Sequence, residues 1–189
     1  MLNLPPSHGA GVDSGSLPAN RALQFLKDYP AISRSLLLDC EQDISKVATL
    51  VEPILDAPQR CTTPYYIQAV TTGRTAFLTT NLTETGEAQT TAIASTWLVG
   101  RSRNCAIMVP HPSVSRCHGV IAHSAADGFC IMDVGSSNGT FLNGQRLPSL
   151  ERRPLQDGDR LSFSHIQVEF FVVSVKQEFD HWDEPTSAT

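Results

Sequence analysis

The sequence predicts a mainly β protein, an antiparallel β-sandwich preceded by a short helical segment. Three observations predict it. Apolar residues keep a helical period up to about residue 62, short β-branched and aromatic runs replace that period from about Tyr65, and these runs recur about every ten residues with turn residues between them.

Residues 1–19 are rich in Pro, Gly and Ser with little apolar content and read as a disordered leader. A helical extension follows over 20–62. In RALQFLKDY the residues Ala22, Phe25, Leu26 and Tyr29 fall on one helical face, and Pro30 ends the run. A second series, Ile32, Leu36, Cys40, Ile44, Val47, Ala48 and Val51, keeps helical spacing until Pro53, which must end or kink it. Two such pieces predict a helical hairpin.

The sandwich is expected over 65–175. Its strand candidates are YYIQAV, RTAFLTTNL, TTAIASTWLVG, CAIMV, GVIAH, GFCIMDV, GTFL, DRLSF and QVEFFVVSV, each bounded by Gly, Asn, Asp, Pro or Ser. No helical period lies between them, which points to a sandwich with its loops gathered at two ends. Residues 176–189, KQEFDHWDEPTSAT, read as a flexible acidic tail.

Composition narrows the function. The chain has 189 residues, 41% of them apolar and 17% charged, and places itself among globular proteins. No run approaches the ~18 apolar residues of a membrane span, and the N-terminus lacks a secretory pattern, so membrane insertion is not expected and a cytoplasmic location is. Five cysteines, odd in number and without C-x-x-C spacing, predict buried thiols rather than disulfides or a zinc site. From Ser95 to Ser174 there are seven arginines (101, 103, 116, 146, 152, 153, 160) and six acids (127, 133, 151, 157, 159, 169), net +1 against −5 for the whole chain. So small an excess gives no case for nucleic acid. An anion bound there must be held by a few placed arginines.

The stretch GSSNGTFLNG, Gly135 to Gly144, poses the functional question. Its first five residues fit G-x-S-x-G, the nucleophile elbow, with Ser137 as a serine-hydrolase nucleophile. An elbow needs a helix after the serine. Here Thr-Phe-Leu and then Asn143-Gly144, a hairpin signal, follow instead. Asn and Ser bond neighbouring or incoming backbone, and Asn138 and Gly139 tolerate positive φ, so the loop suits holding a peptide. Gly100-Arg101 ends one predicted strand, and Ser115-Arg116-Cys117-His118 precedes another. If these turns meet, two arginines and a hydroxyl converge beside an asparagine. His111, His118 and His123 could be grouped as a metal site, but no acid or thiol lies at ligand spacing, and neither metal nor cofactor is expected.

This constellation resembles the forkhead-associated (FHA) domain, whose hallmark is G-R, then S-x-x-H, then N-G-T followed by N-G. The matching residues are Gly100-Arg101, Ser115 to His118, Asn138-Gly139-Thr140 and Asn143-Gly144, with Asp133 before the loop and Asp157-Gly158-Asp159 beyond it. The resemblance runs from roughly Thr75 to Val175. It implies an FHA-type β-sandwich that binds phosphothreonine peptides and is not an enzyme. Arg101, Ser115 and Arg116 would hold the phosphate, and Ser137 and Asn138 the ligand backbone. Gly100, His118 and Gly139 would support the site. At His111 the family often carries an acid.

The expected function is therefore a phosphothreonine-dependent adaptor. Its partners would be threonine-phosphorylated proteins, which implies a Ser/Thr kinase, and its N-terminal helices could associate with a second copy. One alternative is a phosphate-independent interaction module on the same fold. Another is hydrolysis through Ser137. A self-regulating variant would place a phosphorylated Thr186, Ser187 or Thr189, or the threonine-rich segment 79–96, in the pocket of its own or a neighbouring chain.

Overall fold

A computed structural model describes residues 16–175. Three helices come first: α1 (Ser16–Asp28), α2 (Pro30–Asp39) and α3 (Ile44–Arg60). The strands are β1 (Tyr65–Thr71), β2 (Ala76–Thr80), β3 (Gln89–Thr90), β4 (Thr96–Gly100), β5 (Ile107–Met108) and β6 (Gly119–Ser124), then β7 (Gly128–Asp133), β8 (Thr140–Leu142), β9 (Gln145–Arg146), β10 (Arg153–Pro154), β11 (Asp159–Phe163) and β12 (Ile166–Ser174). The first helix opens at Ser16, within the stretch expected as leader. Residues 1–15 and the expected tail 176–189 lie outside the described residues.

The helical hairpin becomes three helices, and proline explains only part of the punctuation. Pro30 begins α2 rather than merely ending α1, because its missing N–H falls where a helix has no partner for it. The break in the second apolar series comes earlier than Pro53. Glu41 and Gln42 take left-handed φ of 56° and 63°, and the Asp43 carboxylate then caps α3 by accepting the N–H groups of Ser45 (2.8 Å) and Lys46 (3.3 Å). Pro53 and Pro58 both lie inside α3, which runs on to Arg60. Val47, Leu50, Val51, Ile54 and Ala57 are buried along that helix, and this packing offsets the hydrogen bonds the prolines cannot make.

The strands form a seven-stranded sheet, in the order β3-β2-β1-β12-β11-β8-β9, and a five-stranded sheet, β10-β7-β6-β4-β5. Most neighbours are antiparallel, as expected. Two pairs are parallel, β1 with β12 from Tyr65↔Val168 to Thr71↔Ser174, and β4 with β5, so the sheets are mixed rather than purely antiparallel. All nine predicted runs contain a strand; β9 is announced only by the hairpin signal Asn143-Gly144 before it, and β10 gives no signal. Trp97, Ile121, Phe129, Ile131, Leu161, Phe163 and Phe170 fill the space between the sheets.

β7 alternates in burial, one side inward and one outward. β1 and β2 are instead buried almost throughout. The difference has a cause: Phe25, Leu36, Leu50, Val51 and Ile54 of the helices pack on Val70 and Phe77, covering the outer face of β1 and β2. The apolar stripe that motivated self-association is thereby used within the chain.

Candidate functional site

Three loops meet at one end of the sandwich: the turn leaving β4, the turn entering β6, and the loop from β7 to β8. Gly100 sets the first contact. A Cβ there would stand 2.4 Å from the Arg116 carbonyl oxygen, so only glycine lets the two backbones approach. The Arg101 and Ser102 amides donate to the carbonyls of Ser115 (2.9 Å) and Arg116 (3.2 Å), fixing the first loop on the second.

His118 joins the second loop to the third. Fully buried, its Nδ1 accepts the Ser115 N–H at 3.0 Å, which leaves Nε2 as the protonated nitrogen, donating to the Gly139 carbonyl at 3.1 Å. Burial pushes its pKa below the usual value, more strongly than the Gly139 bond and nearby Asp133 pull it up. The imidazole is neutral and both nitrogens are engaged, leaving none for a metal. His111 belongs elsewhere, its Nδ1 2.8 Å from Ser113 Oγ and its ring against His165. His123 stacks near Phe129.

Asp133, buried at the end of β7, organises the third loop. It accepts the N–H groups of Gly135 and Ser136 (2.9 Å each) and the hydroxyls of Ser136 (2.6 Å) and Thr140 (2.7 Å). Burial alone would raise this carboxyl, but the four bonds outweigh it and hold its pKa at about 2. Ser136 Oγ also accepts the Gly139 N–H at 2.9 Å. Gly139 sits at φ 87°, with the Arg146 guanidinium so close that a Cβ would stand 2.6 Å from its Nε.

These supports present five predicted residues around one cleft of about 650 Å³, which Arg101, Ser115, Arg116, Ser137 and Asn138 all line. Arg101 Nε donates to the Val114 carbonyl at 3.2 Å, anchoring the guanidinium while its terminal nitrogens remain free of the hydrogen bonds found among the described residues. Ser115 Oγ accepts the Ser137 N–H at 3.1 Å. Asn138 Nδ2 donates to the Ser113 carbonyl at 2.7 Å, which fixes the amide across the cleft mouth. No acid pairs with Arg101 or Arg116 among the described residues, so the cleft carries two exposed, uncompensated cations.

Among the described residues the geometry gives the hydrolase alternative no support. The loop after Ser137 enters strand β8, not a helix. Among the described residues Ser137 Oγ meets only Ser115 Oγ, at 3.5 Å, and no imidazole. Sequence reasoning missed the main-chain acceptors at Ser113 and Val114 and the guanidinium of Arg146 on Gly139. Backbone carbonyls have no residue signature, and only the positive φ expected at Gly139 pointed there.

No described helix is long and apolar enough to cross a membrane. The profile of the FHA domain family matches residues 97–164. Human (Homo sapiens) kanadaptin is 43% identical over 61 residues, 27% of this chain and 8% of that protein. Smad nuclear-interacting protein 1 of Mus musculus is 32% identical over 102 residues, 47% of this chain and 27% of that protein. The chain thus matches well under a third of either relative. Among solved structures, full-length yeast Pml1p aligns with a TM-score of 0.38 and 31% identity, over 42% of this chain and 60% of that one.

Proposed function

We propose, from the FHA domain that this chain carries over residues 97–164, that the cleft beside Ser137 binds a peptide phosphorylated on threonine. FHA domains are interaction modules that generally read phosphorylated motifs through arginines. The observation that carries the reading is the pair of exposed guanidiniums of Arg101 and Arg116, paired with no acid among the described residues, on one cleft with Ser115. A phosphate dianion offers oxygens that match such donors in paired bonds, and Arg keeps its charge at every working pH. Ser115 adds a neutral donor. Ser137 and Asn138 would hold the ligand main chain, and the Asn138 amide is already oriented by Ser113.

On this reading the protein is a non-enzymatic adaptor whose partner is marked by a threonine kinase. The bond energy is largely electrostatic, so binding weakens as salt rises. Fluorescence anisotropy with degenerate peptide pools carrying phosphothreonine, phosphoserine or plain threonine tests it, on the wild-type protein and on Arg101→Ala. Binding is expected to phosphothreonine alone and to disappear in the variant. Equal binding of the plain threonine pool would instead support the phosphate-independent module.

A further inference from the structure

The two sheets are treated unequally. The helices cover the outer face of β1, β2 and β12 in the seven-stranded sheet, while the outer face of the five-stranded sheet is apolar and has no described element over it. Its rows follow from the register: Leu98↔Val120↔Met132, and Thr96↔Ala122↔Cys130↔Pro154. All but Thr96 and Pro154 are half-buried by their neighbours alone. At the edge of this face, at the end of the sandwich away from the arginine cleft, the second row opens into a groove of about 540 Å³ with His123, Arg152 and Asp127, the last hydrogen-bonded to Ser124, on its walls. Arg152 is exposed and pairs with no acid among the described residues, whereas neighbouring Arg153 is held by Glu151 at 2.7 Å.

We propose that this groove is a docking surface for the chain's own segment 176–189, with Trp182 seated against Ala122 and Cys130. Reach is the first argument. The Val175 N–H donates to Thr71 (3.3 Å), Thr71 pairs with Ala76, the Ala94 N–H donates to Ala76 (3.2 Å), and Ser95, which lines the groove, follows Ala94. Each step is about 4–6 Å between α-carbons, so Val175 lies within roughly 20 Å of the groove, and Trp182, seven residues on, extends about 23 Å.

Chemistry is the second argument. KQEFDHWDEPTSAT combines the aromatics Phe179 and Trp182 with Glu178, Asp180, Asp183 and Glu184, against a single cation, Lys176. A large amphipathic ring suits a half-open apolar groove, and its indole N–H can bond at the polar lip. The acids on either side complement Arg152. A second copy meeting this face in a two-fold contact would bring the same groove, with one Asp127 for each Arg152, whereas the segment brings four acids and two aromatic rings. Charge therefore favours the acidic segment.

The test uses the full chain, whose only other tryptophan, Trp97, is buried at 1% exposure. Acrylamide quenching reports Trp182, and the alkylation rate of Cys130, followed by mass spectrometry, reports the groove. The expected result is a shielded Trp182 in the wild type, exposed in Ala122→Arg. A several-fold faster Cys130 reaction is expected in Trp182→Ala, which alters no described residue and keeps the test valid should Ala122→Arg disturb the sheet. A Trp182 quenched as freely as a small indole in water, with Cys130 indifferent to Trp182→Ala, overturns the proposal. So does shielding that vanishes on dilution, which would make a second copy the occupant.

Discussion

His118 donates through Nε2 to the carbonyl of Gly139 at 3.1 Å while its other nitrogen accepts from Ser115, so one neutral ring spans two loops of the candidate site. Protonation would convert Nδ1 from an acceptor into a donor facing another N–H. Burial holds the folded pKa below the usual 6.5, outweighing the Gly139 bond and Asp133, which raise it. The stability this gives is fully present above about pH 6.5 and is lost as pH falls through the folded value. His123, also lowered by burial, adds to the same window. His118→Ala should cost about 2–4 kcal/mol, since it leaves a buried cavity and two unpaired backbone groups. It should also flatten the loss of stability between pH 7.5 and 5, leaving the His123 share. Urea midpoints of both proteins at the two pH values check this. An unchanged pH slope in the variant would show that the ring does not act as an acceptor.

Asp133 titrates in a different window. Its carboxyl moves from 3.8 to about 2 on folding, which corresponds to about 2 kcal/mol of stability, present above about pH 3.8 and lost as pH falls towards 2. Asp133→Asn keeps the shape but turns one acceptor into a donor among four donors. A loss of about 2–3 kcal/mol at pH 7 is expected, together with weaker phosphopeptide binding, because Ser136 and Gly139 lose their alignment. Thermal unfolding and peptide anisotropy on the same sample read both. Stability lost without any change in affinity would mean that the loop keeps its form without Asp133.

The site was more legible than the fold around it. Gly100, Arg101, Ser115, His118 and Asn138 carry type-specific chemistry, so motif spacing alone brings them to one end. What the sequence hid was main-chain chemistry and tertiary cover. The Ser113 and Val114 carbonyls that hold Asn138 and Arg101 could be any residue's. The break at Glu41-Gln42 lies in a stretch without Gly or Pro, where left-handed φ is not announced. Pro53 misled in the other direction: local propensity says stop or kink, and burial of Val51, Ile54 and Ala57 against the sheet overrides it. β1 and β12 pair in parallel across about a hundred residues, and nothing local encodes that register.

Arg101 and Arg116 should not be equivalent. Arg101 is pinned through Nε to Val114 at 3.2 Å, whereas the Arg116 guanidinium makes no hydrogen bond among the described residues and must be ordered by the ligand. Ordering a long side chain costs about 0.5–1.5 kcal/mol. Arg101→Ala should therefore weaken phosphothreonine binding by about 2–4 kcal/mol and Arg116→Ala by less, with both variants as stable as the wild type because both side chains are exposed. Arg101→Lys should recover little, since Lys lacks the Nε–H that fixes the fork. Titrations of the three variants against one phosphopeptide decide it. A larger loss at Arg116 would mean that the pinned arginine serves the loop rather than the phosphate.

The helices and the sandwich should unfold together. Leu36 is fully buried in the cluster that joins α1, α2 and α3 to Val70 and Phe77, and Arg60 at the end of α3 reaches Asp157 at 2.9 Å while lying 4.3 Å over the Phe171 ring. Removing the helices would open the apolar face of β1 and β2 to water, so the sandwich is not expected to keep its stability without them. Leu36→Ala creates a cavity between helices and sheet, and a cost of about 2–5 kcal/mol is expected. In urea the helical signal by circular dichroism and the emission of buried Trp97, read in a Trp182→Phe background, should share one midpoint, and Leu36→Ala should lower both together. A helical transition that precedes the Trp97 transition, with Leu36→Ala shifting only the first, would show instead that α1 to α3 form a separate unit resting on a self-sufficient sandwich.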